Sequence, residues 1–265
     1  MHHRWVIMPA FAWMLACAPH ALGQSVQAPQ GKAIAGDYKQ QFANCDATDA
    51  FDGVQLPIKN AAGKTIWYGC KSDPSRLTRL EQIRSKDGKH TAILWQSKLA
   101  RDDDGSQKAC GGAKGPTDQC TTSLMLDPDA SHPCAVPKVG KSKCVPVDAG
   151  LIPYAVIPMA APPGMESGAF SKITGIKVGD YGAVIFNGKT VPVIFADEGP
   201  AYKIGEGSAA LLAALSNDGK PHTQSSGVVF VACANSADKR KDLKPGTLAA
   251  TVASKGKACL NAALK

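Results

Sequence analysis

Two carboxylates nine residues apart, Asp197 and Glu206, are the side chains of this sequence best matched in type and spacing to act together. Asp197 follows the apolar run Val193-Ile194-Phe195-Ala196, a Gly199-Pro200 loop turns the chain, and Glu206 arrives just before Ser208 and an Ala/Leu-rich run. Acids that leave a strand on one side of a short loop and enter a helix on the other can flank one bond. In that arrangement one carboxylic acid protonates a leaving oxygen while one carboxylate activates water or attacks. Strand-end Asp and helix-start Glu are also ordinary structural choices, so spacing alone leaves both roles open. A second acidic group, Asp102-Asp103-Asp104-Gly105, has three readings. It is an Asx-turn, a calcium loop truncated by Ala100 at its first ligand and Gly111 at its closing Glu, or a carboxylate cluster facing a cation.

Other chemistries fall away on spacing. Gly63-Lys64-Thr65 and Gly188-Lys189-Thr190 resemble the end of a phosphate-binding loop, but the glycine needed five residues earlier is Ile58 in one and Ala183 in the other. Glu206-Gly207-Ser208-Ala209-Ala210 lacks both flanking glycines of a nucleophile elbow, which leaves Ser208 as a helix cap. His90, His132 and His222 sit in polar surroundings and read as solvated. No metal and no cofactor is expected.

The elements that position the two acids are mostly short strands. Ala183-Val184-Ile185-Phe186 and Thr190-Val191-Pro192-Val193-Ile194-Phe195 flank Asn187-Gly188, the strongest short hairpin signal. Ser208 caps a helix through Leu215, with Leu211, Leu212 and Leu215 on one face. Further strands are read at 65–68, 92–95, 153–157 and 228–232. Residues 101–146 are rich in Asp, Gly, Pro, Ser and Cys and form a loop region that disulfides must hold. The fold class is mainly β, a barrel or sandwich with small helical additions.

The stretch from Asp197 to Ser208, preceded by the hairpin and followed by an Ala-Leu-Leu-Ala-Ala run, resembles the D-x8-E-[AG]-S block, with Gly before the Glu, of the glycoside hydrolase family 75 chitosanases. Asp102-Asp103-Asp104-Gly105 is similar to that family's D-x-D-G stretch, and the strands at 153–157 and 228–231 match two more. The likeness covers roughly residues 90–235; Gly207 replaces the usual Ala, and Glu198-Gly199-Pro200 replaces a Thr-Asn-Gly type of turn. The resemblance implies endo-hydrolysis of β-1,4 bonds in chitosan with inversion, carried by Asp197 and Glu206. Together with the strand count it points to one six-stranded β-barrel, with a double-psi form as one option.

Physical reasoning then divides the roles. Glu206 precedes a helix start, whose exposed N–H groups favour a negative carboxylate, so it is assigned as base. Burial of Asp197 at the end of an apolar strand raises its pKa toward that of a proton donor, so it is assigned as acid. Lys203 is the neighbour able to reverse this division. The formal charge of +8 is at odds with a polycationic substrate, although salt confines the repulsion to about 8–10 Å. A locally acidic cleft built from Asp102, Asp103, Asp104, Asp180, Asp197, Glu198 and Glu206 would resolve the conflict, with Trp67, Trp95 or Tyr181 stacking on sugar rings. Otherwise an anionic bacterial wall glycan becomes the better substrate, and a β module that binds carbohydrate without cutting it is the non-enzymatic alternative.

The N-terminus completes the picture. Residues 1–23 pair a basic start with an apolar stretch and the small residues of Ala21-Leu22-Gly23, which reads as a cleaved export signal. Lipid attachment at Cys17 is the weaker option. Residues 24–36 read as a flexible leader, and 37–265 as the catalytic barrel domain, with 37–90 an extension of uncertain match. Eight cysteines outside the signal suggest a secreted or periplasmic chain, with sequential bridges 45–70, 110–120, 134–144 and 233–259 the simplest pairing. A monomer without nucleic-acid partner or stable membrane association is expected, because no block of like charges and no further spanning segment occurs.

Overall fold

The computed structural model describes residues 28–34, 44–45, 53–59, 65–71, 77–85, 91–106, 109, 120–127, 144–158, 170–199 and 203–264, with backbone alone at 44–45, 53–59 and 65–71. The proposed signal, Cys17, His90 and His132 lie outside these residues. The strands in chain order are β1 (Lys32–Ala33), β2 (Asn44–Cys45), β3 (Gly53–Lys59), β4 (Thr65–Lys71), β5 (Leu77–Arg84), β6 (Thr91–Asp102) and β7 (Met125–Leu126). They continue with β8 (Val145–Pro146), β9 (Tyr154–Pro158), β10 (Tyr181–Phe186), β11 (Lys189–Gly199), β12 (Glu206–Ser208) and β13 (Gln224–Cys233). Among the described residues the complete α-helices are α1 (Phe170–Thr174), α2 (Ala209–Leu215) and α3 (Leu248–Leu264).

Six strands close into a barrel in the order β6, β12, β9, β11, β10, β13 and back to β6. The pairings of β12 with β6 and of β11 with β9 are parallel, and the other four are antiparallel. The hairpin read from Asn187-Gly188 joins β10 to β11, with both turn residues at positive φ, 48° and 75°. Strands β2, β4 and β3 form a separate three-stranded sheet, in which Cys45 stands opposite Cys70. Within the cysteine-rich loop, β7 pairs with β8.

Strand alternation sorts the core into an inside and an outside. Trp95, Leu99, Ala155, Ile157, Val184, Val193, Phe195 and Phe230 fill the barrel. Trp95 stacks on Phe230 with ring centroids 4.9 Å apart and meets Phe170 edge-on at 5.1 Å. The intervening residues Tyr154, Val156, Ile194 and Ala196 face outward and pack with Val147, Ala149 and the α3 residues Leu248 and Val252. Ser208 caps α2 as expected, accepting from the Leu211 amide at 3.1 Å. Its hydroxyl also accepts from the Tyr154 amide at 3.0 Å and donates to the Ile152 carbonyl at 2.8 Å, tying the helix start to β9.

One reading of the sequence needs correction. Residues 28–34 are not a free leader: β1 adds to the edge of β5, the Gly31 amide donates to Glu81 Oε2 at 2.7 Å, and the Ile34 amide donates to the Leu80 carbonyl at 3.0 Å. A poor periodicity does not prevent pairing here because backbone bonds to a ready strand edge hold the segment. The long α3 carries a glycine in its interior, with no acidic residue in its first turn and no basic residue in its last. It is held by tertiary contacts instead. Cys259 is bonded to Cys233 of β13, at a sequence separation of 26, which fits sequential pairing; Cys120 and Cys144 are also disulfide-bonded.

Gly256 explains how closely α3 lies on the barrel. A Cβ there would run into the Gly182 carbonyl oxygen and sit 2.7 Å from Pro192 Cβ, both on rigid strands. Helix propensity favours Ala over Gly by about 1 kcal/mol, but overpacking costs about 1–3 kcal/mol. Contacts this short with rigid strands put the cost in the upper part of that range, about 2–3 kcal/mol, so Gly256→Ala is expected to lose about 1–2 kcal/mol of stability in urea unfolding. An unchanged or raised midpoint would mean that α3 does not dock this closely.

Candidate active site

A bulge in β11 determines where Asp197 points. In the parallel register with β9, Ile194 pairs with Tyr154 and Phe195 with Ala155, but Asp197 pairs with Val156, leaving Ala196 as the extra residue. Without that insertion, alternation would send Asp197 into the barrel behind Phe195. With it, Asp197 shares the outward face of Val156. Glu206, on the other neighbour of β9, also pairs with Val156. The two acids thus stand level on strands either side of Val156, with backbones about 9–10 Å apart, two strand spacings.

Asp197 is buried, at 6% exposure, and densely hydrogen-bonded. Its Oδ1 accepts from the Ser123 amide at 2.8 Å, the Ser123 hydroxyl at 2.7 Å and the Glu198 amide at 2.9 Å. Burial pushes its pKa above the ordinary carboxyl value and outweighs these donors, which pull it down. Asp102 is shifted upward too, first by burial and then by the nearby negative charges of Asp197 and Asp103; the Asp104 amide and Tyr154 hydroxyl act against that. The Tyr154 hydroxyl lies 3.2 Å from Asp102 Oδ2 and 3.0 Å from the Asp104 carbonyl. Burial beside these acids pushes the phenol far above its usual range, so it remains a donor.

The acidic turn resolves as an Asx-turn, with the Asp104 amide donating to Asp102 Oδ1 at 3.0 Å. It is a carboxylate cluster as well. One oxygen each from Asp102, Asp104 and Asp197 lie within 4.8 Å of one another, close enough to approach a single cation. Among the described residues this is the one such group, and no His or Cys joins it.

Glu206 is partly exposed, and Lys203 Nζ lies 3.7 Å from its Oε1. Across from it, a Cβ on Gly199 would come within 2.8 Å of Glu206 Oε2 and 3.2 Å of Val156 Cγ1. A bare α-carbon at 199 therefore leaves the Glu206 carboxylate its place. Glu198 is exposed, and Asp103 pairs with Arg101, whose Nε lies 2.8 Å from Asp103 Oδ1.

Three residues expected in the site lie elsewhere. Trp95 is 1% exposed inside the barrel and has no face free for a sugar. Tyr181 is fully buried; its hydroxyl donates to Asp238 Oδ2 at 2.9 Å, and Lys255 lies over its ring. Asp180 is fully buried and accepts from the Ser236, Ala237 and Lys177 amides at 2.7, 3.0 and 2.9 Å, which makes it a turn-forming residue. In each case a residue on or beside a strand reads as surface in the sequence, although its neighbours cover it. Trp67 belongs to β4, of which only the backbone is described. His222 is exposed and pairs with Asp218 at 2.9 Å, a surface arrangement.

Ser123 and Tyr154 escape the sequence reading. Ser123 is 74 residues from Asp197 in the chain, in a Thr-Thr-Ser stretch with no local signal. Tyr154 carries one, as the sole polar side chain in the buried run Tyr154-Ala155-Val156-Ile157. No protein-family model matches the chain, and no curated protein matches it.

The raised pKa of Asp197 has a stability consequence. A carboxyl whose folded pKa lies above its unfolded value binds more protons when folded, so its contribution is fully present below the unfolded pKa and lost as pH rises through the folded one. Asp197→Asn removes that loss. The variant should melt at a higher temperature than wild type at pH 7, and the gap should close as pH falls below the ordinary value of 3.8. A variant less stable than wild type at pH 7 would show that the ionised carboxylate is favoured by its donors, contrary to the burial argument.

Proposed function

We propose that the chain is an exported endo-acting glycoside hydrolase that cleaves β-1,4 linkages of chitosan with inversion, as the resemblance to the family 75 chitosanases implies. The observation that carries this reading is the register of three strands, which sets Asp197 and Glu206 level on either side of Val156. Inverting hydrolases separate their carboxyl groups by about 6.5–9.5 Å to admit a water, and two strand spacings of about 4.8 Å allow that separation. Asp197, buried and shifted toward its protonated form, suits the acid that delivers a proton to the leaving oxygen. Glu206, more open to solvent and next to Lys203, suits the base that takes a proton from the attacking water.

Substrate charge is supported locally rather than globally. Asp102 and Asp104 set carboxylates beside the proton-holding Asp197, which would attract the ammonium groups of glucosamine units despite the chain's +8. Export is supported by the disulfides, which persist in oxidising compartments. Among the described residues no helix is long and apolar enough to cross a membrane. The net charge of +8 favours one second reading, the same carboxylate pair acting on an anionic wall glycan.

Reducing-end release from chitosan and from purified peptidoglycan separates the two substrates. On the substrate that is cut, Asp197→Asn and Glu206→Gln should each lower kcat by about 10²–10⁴-fold, the range removed with one general acid or base. Gly199→Ala, whose new methyl displaces the flexible end of Glu206 and presses on Val156 Cγ1, should lower kcat by about tenfold or more. Near-full turnover by either carboxylate variant would reject the pair, and binding without cleavage of any glycan would leave a carbohydrate-binding module.

A further inference from the structure

The loop carrying Ser123 is fitted to the bulge. The Leu124 amide donates to the Ala196 carbonyl at 2.8 Å, so the residue that interrupts the strand is bonded by this loop. One residue earlier, both hydrogen-bond donors of Ser123 reach Asp197 Oδ1, while the Ser123 hydroxyl oxygen accepts from the Glu198 amide at 3.1 Å. The loop is itself fixed: the Thr122 hydroxyl donates to the Leu124 carbonyl at 2.7 Å and accepts from the Val147 amide at 3.0 Å, and Cys120 is in a disulfide.

We propose that Ser123 is a positioning residue for Asp197, pinning Oδ1 so that Oδ2 is the oxygen that carries the transferable proton. The inference rests on the reading of Asp197 as the acid. A carboxyl oxygen has two lone pairs, and Oδ1 already faces three donors, two of them from Ser123. It has no room for a proton. A carboxylic acid delivers its proton along one direction only, so fixing which oxygen bears it also fixes where the leaving oxygen must sit. The Ser123 hydroxyl additionally stops the carboxyl group from rotating about its Cβ–Cγ bond, which would exchange the two oxygens.

The charged and titratable groups around Asp197 are Asp102 and Asp104 at the end of β6, Tyr154 on β9, and Glu198 beside it on β11; Glu206 with its partner Lys203 lies beyond Val156. None of these is altered when Ser123 loses its hydroxyl. Donors to Oδ1 favour the ionised acid, so removing one makes Asp197 hold its proton to higher pH and release it less readily.

The test is a ¹³C-carboxyl titration of the full chain labelled at Asp, with Asp197→Asn assigning the signal. In Ser123→Ala the Asp197 resonance should titrate at higher pH than in wild type, and Ser123→Thr, which keeps the hydroxyl, should restore it. Ser123→Gly replaces Ser123→Ala if the latter does not fold. On a cleaved substrate, the alkaline limb of kcat/KM should move upward in Ser123→Ala, with kcat down about three- to tenfold and KM changed less than about twofold. Coincident titration curves for wild type and Ser123→Ala would overturn the proposal even if chitosan is hydrolysed. Displaced curves in a protein that cuts no glycan would keep the Ser123 assignment while removing the hydrolase reading.

Discussion

The single extra residue Ala196 in β11 is the constraint on which the site depends. Strand periodicity is two, so one inserted residue reverses the facing of everything after it. Before the bulge Phe195 faces the barrel interior against Trp95; after it Asp197 faces outward beside Val156. A carboxylate in the interior would have no partner among Trp95, Phe170 and Phe230 and would bear the full cost of burial. On the outer face it meets two hydrogen-bond donors of Ser123, the Glu198 amide and the Asp102–Asp104 turn. The parallel pairing of β11 with β9, and the antiparallel pairing of β12 with β9, then bring Glu206 to the same level without any contact between the acids themselves.

The electrostatics of the site come from competition between burial and hydrogen bonding. Asp180 and Asp197 are both buried and both densely hydrogen-bonded, yet they are used differently. Asp180 commits both oxygens to the amides of two turns and is closed off. Asp197 takes its Ser123 and Glu198 donors on Oδ1 and lies against other carboxylates, with the Asp104 side chain also hydrogen-bonded to it. A basic chain can thus present an acidic surface locally, because screening makes the field at the site a matter of the nearest few ångströms.

Local chemistry was legible from local sequence. Asn187-Gly188 announced its hairpin, Ser208 its helix cap, and alternation gave the barrel's wall. Asp197 and Glu206 could be paired because only a short loop separates them. What was hidden depends on contacts between distant segments. Ser123 reaches Asp197 across 74 positions, α3 is held by Gly256 fitting against Gly182 and Pro192, and β1 is a strand only because β5 offers an edge. Trp95 and Tyr181 were misplaced for a related reason. An aromatic residue on a strand looks the same in sequence whether its face is covered by the barrel interior, by α3 or by nothing.

The claim that Asp197 and Glu206 flank one linkage with space for water between them makes a stereochemical statement. The most direct measurement is the anomeric configuration of the first-formed reducing end when a defined glucosamine oligomer is cut, followed by proton NMR before mutarotation. The account predicts that the β-linkage yields an α-anomer. A β-anomer as the first product would contradict it, because retention needs the two carboxyl groups only about 5–5.5 Å apart, closer than the two strand spacings between their backbones.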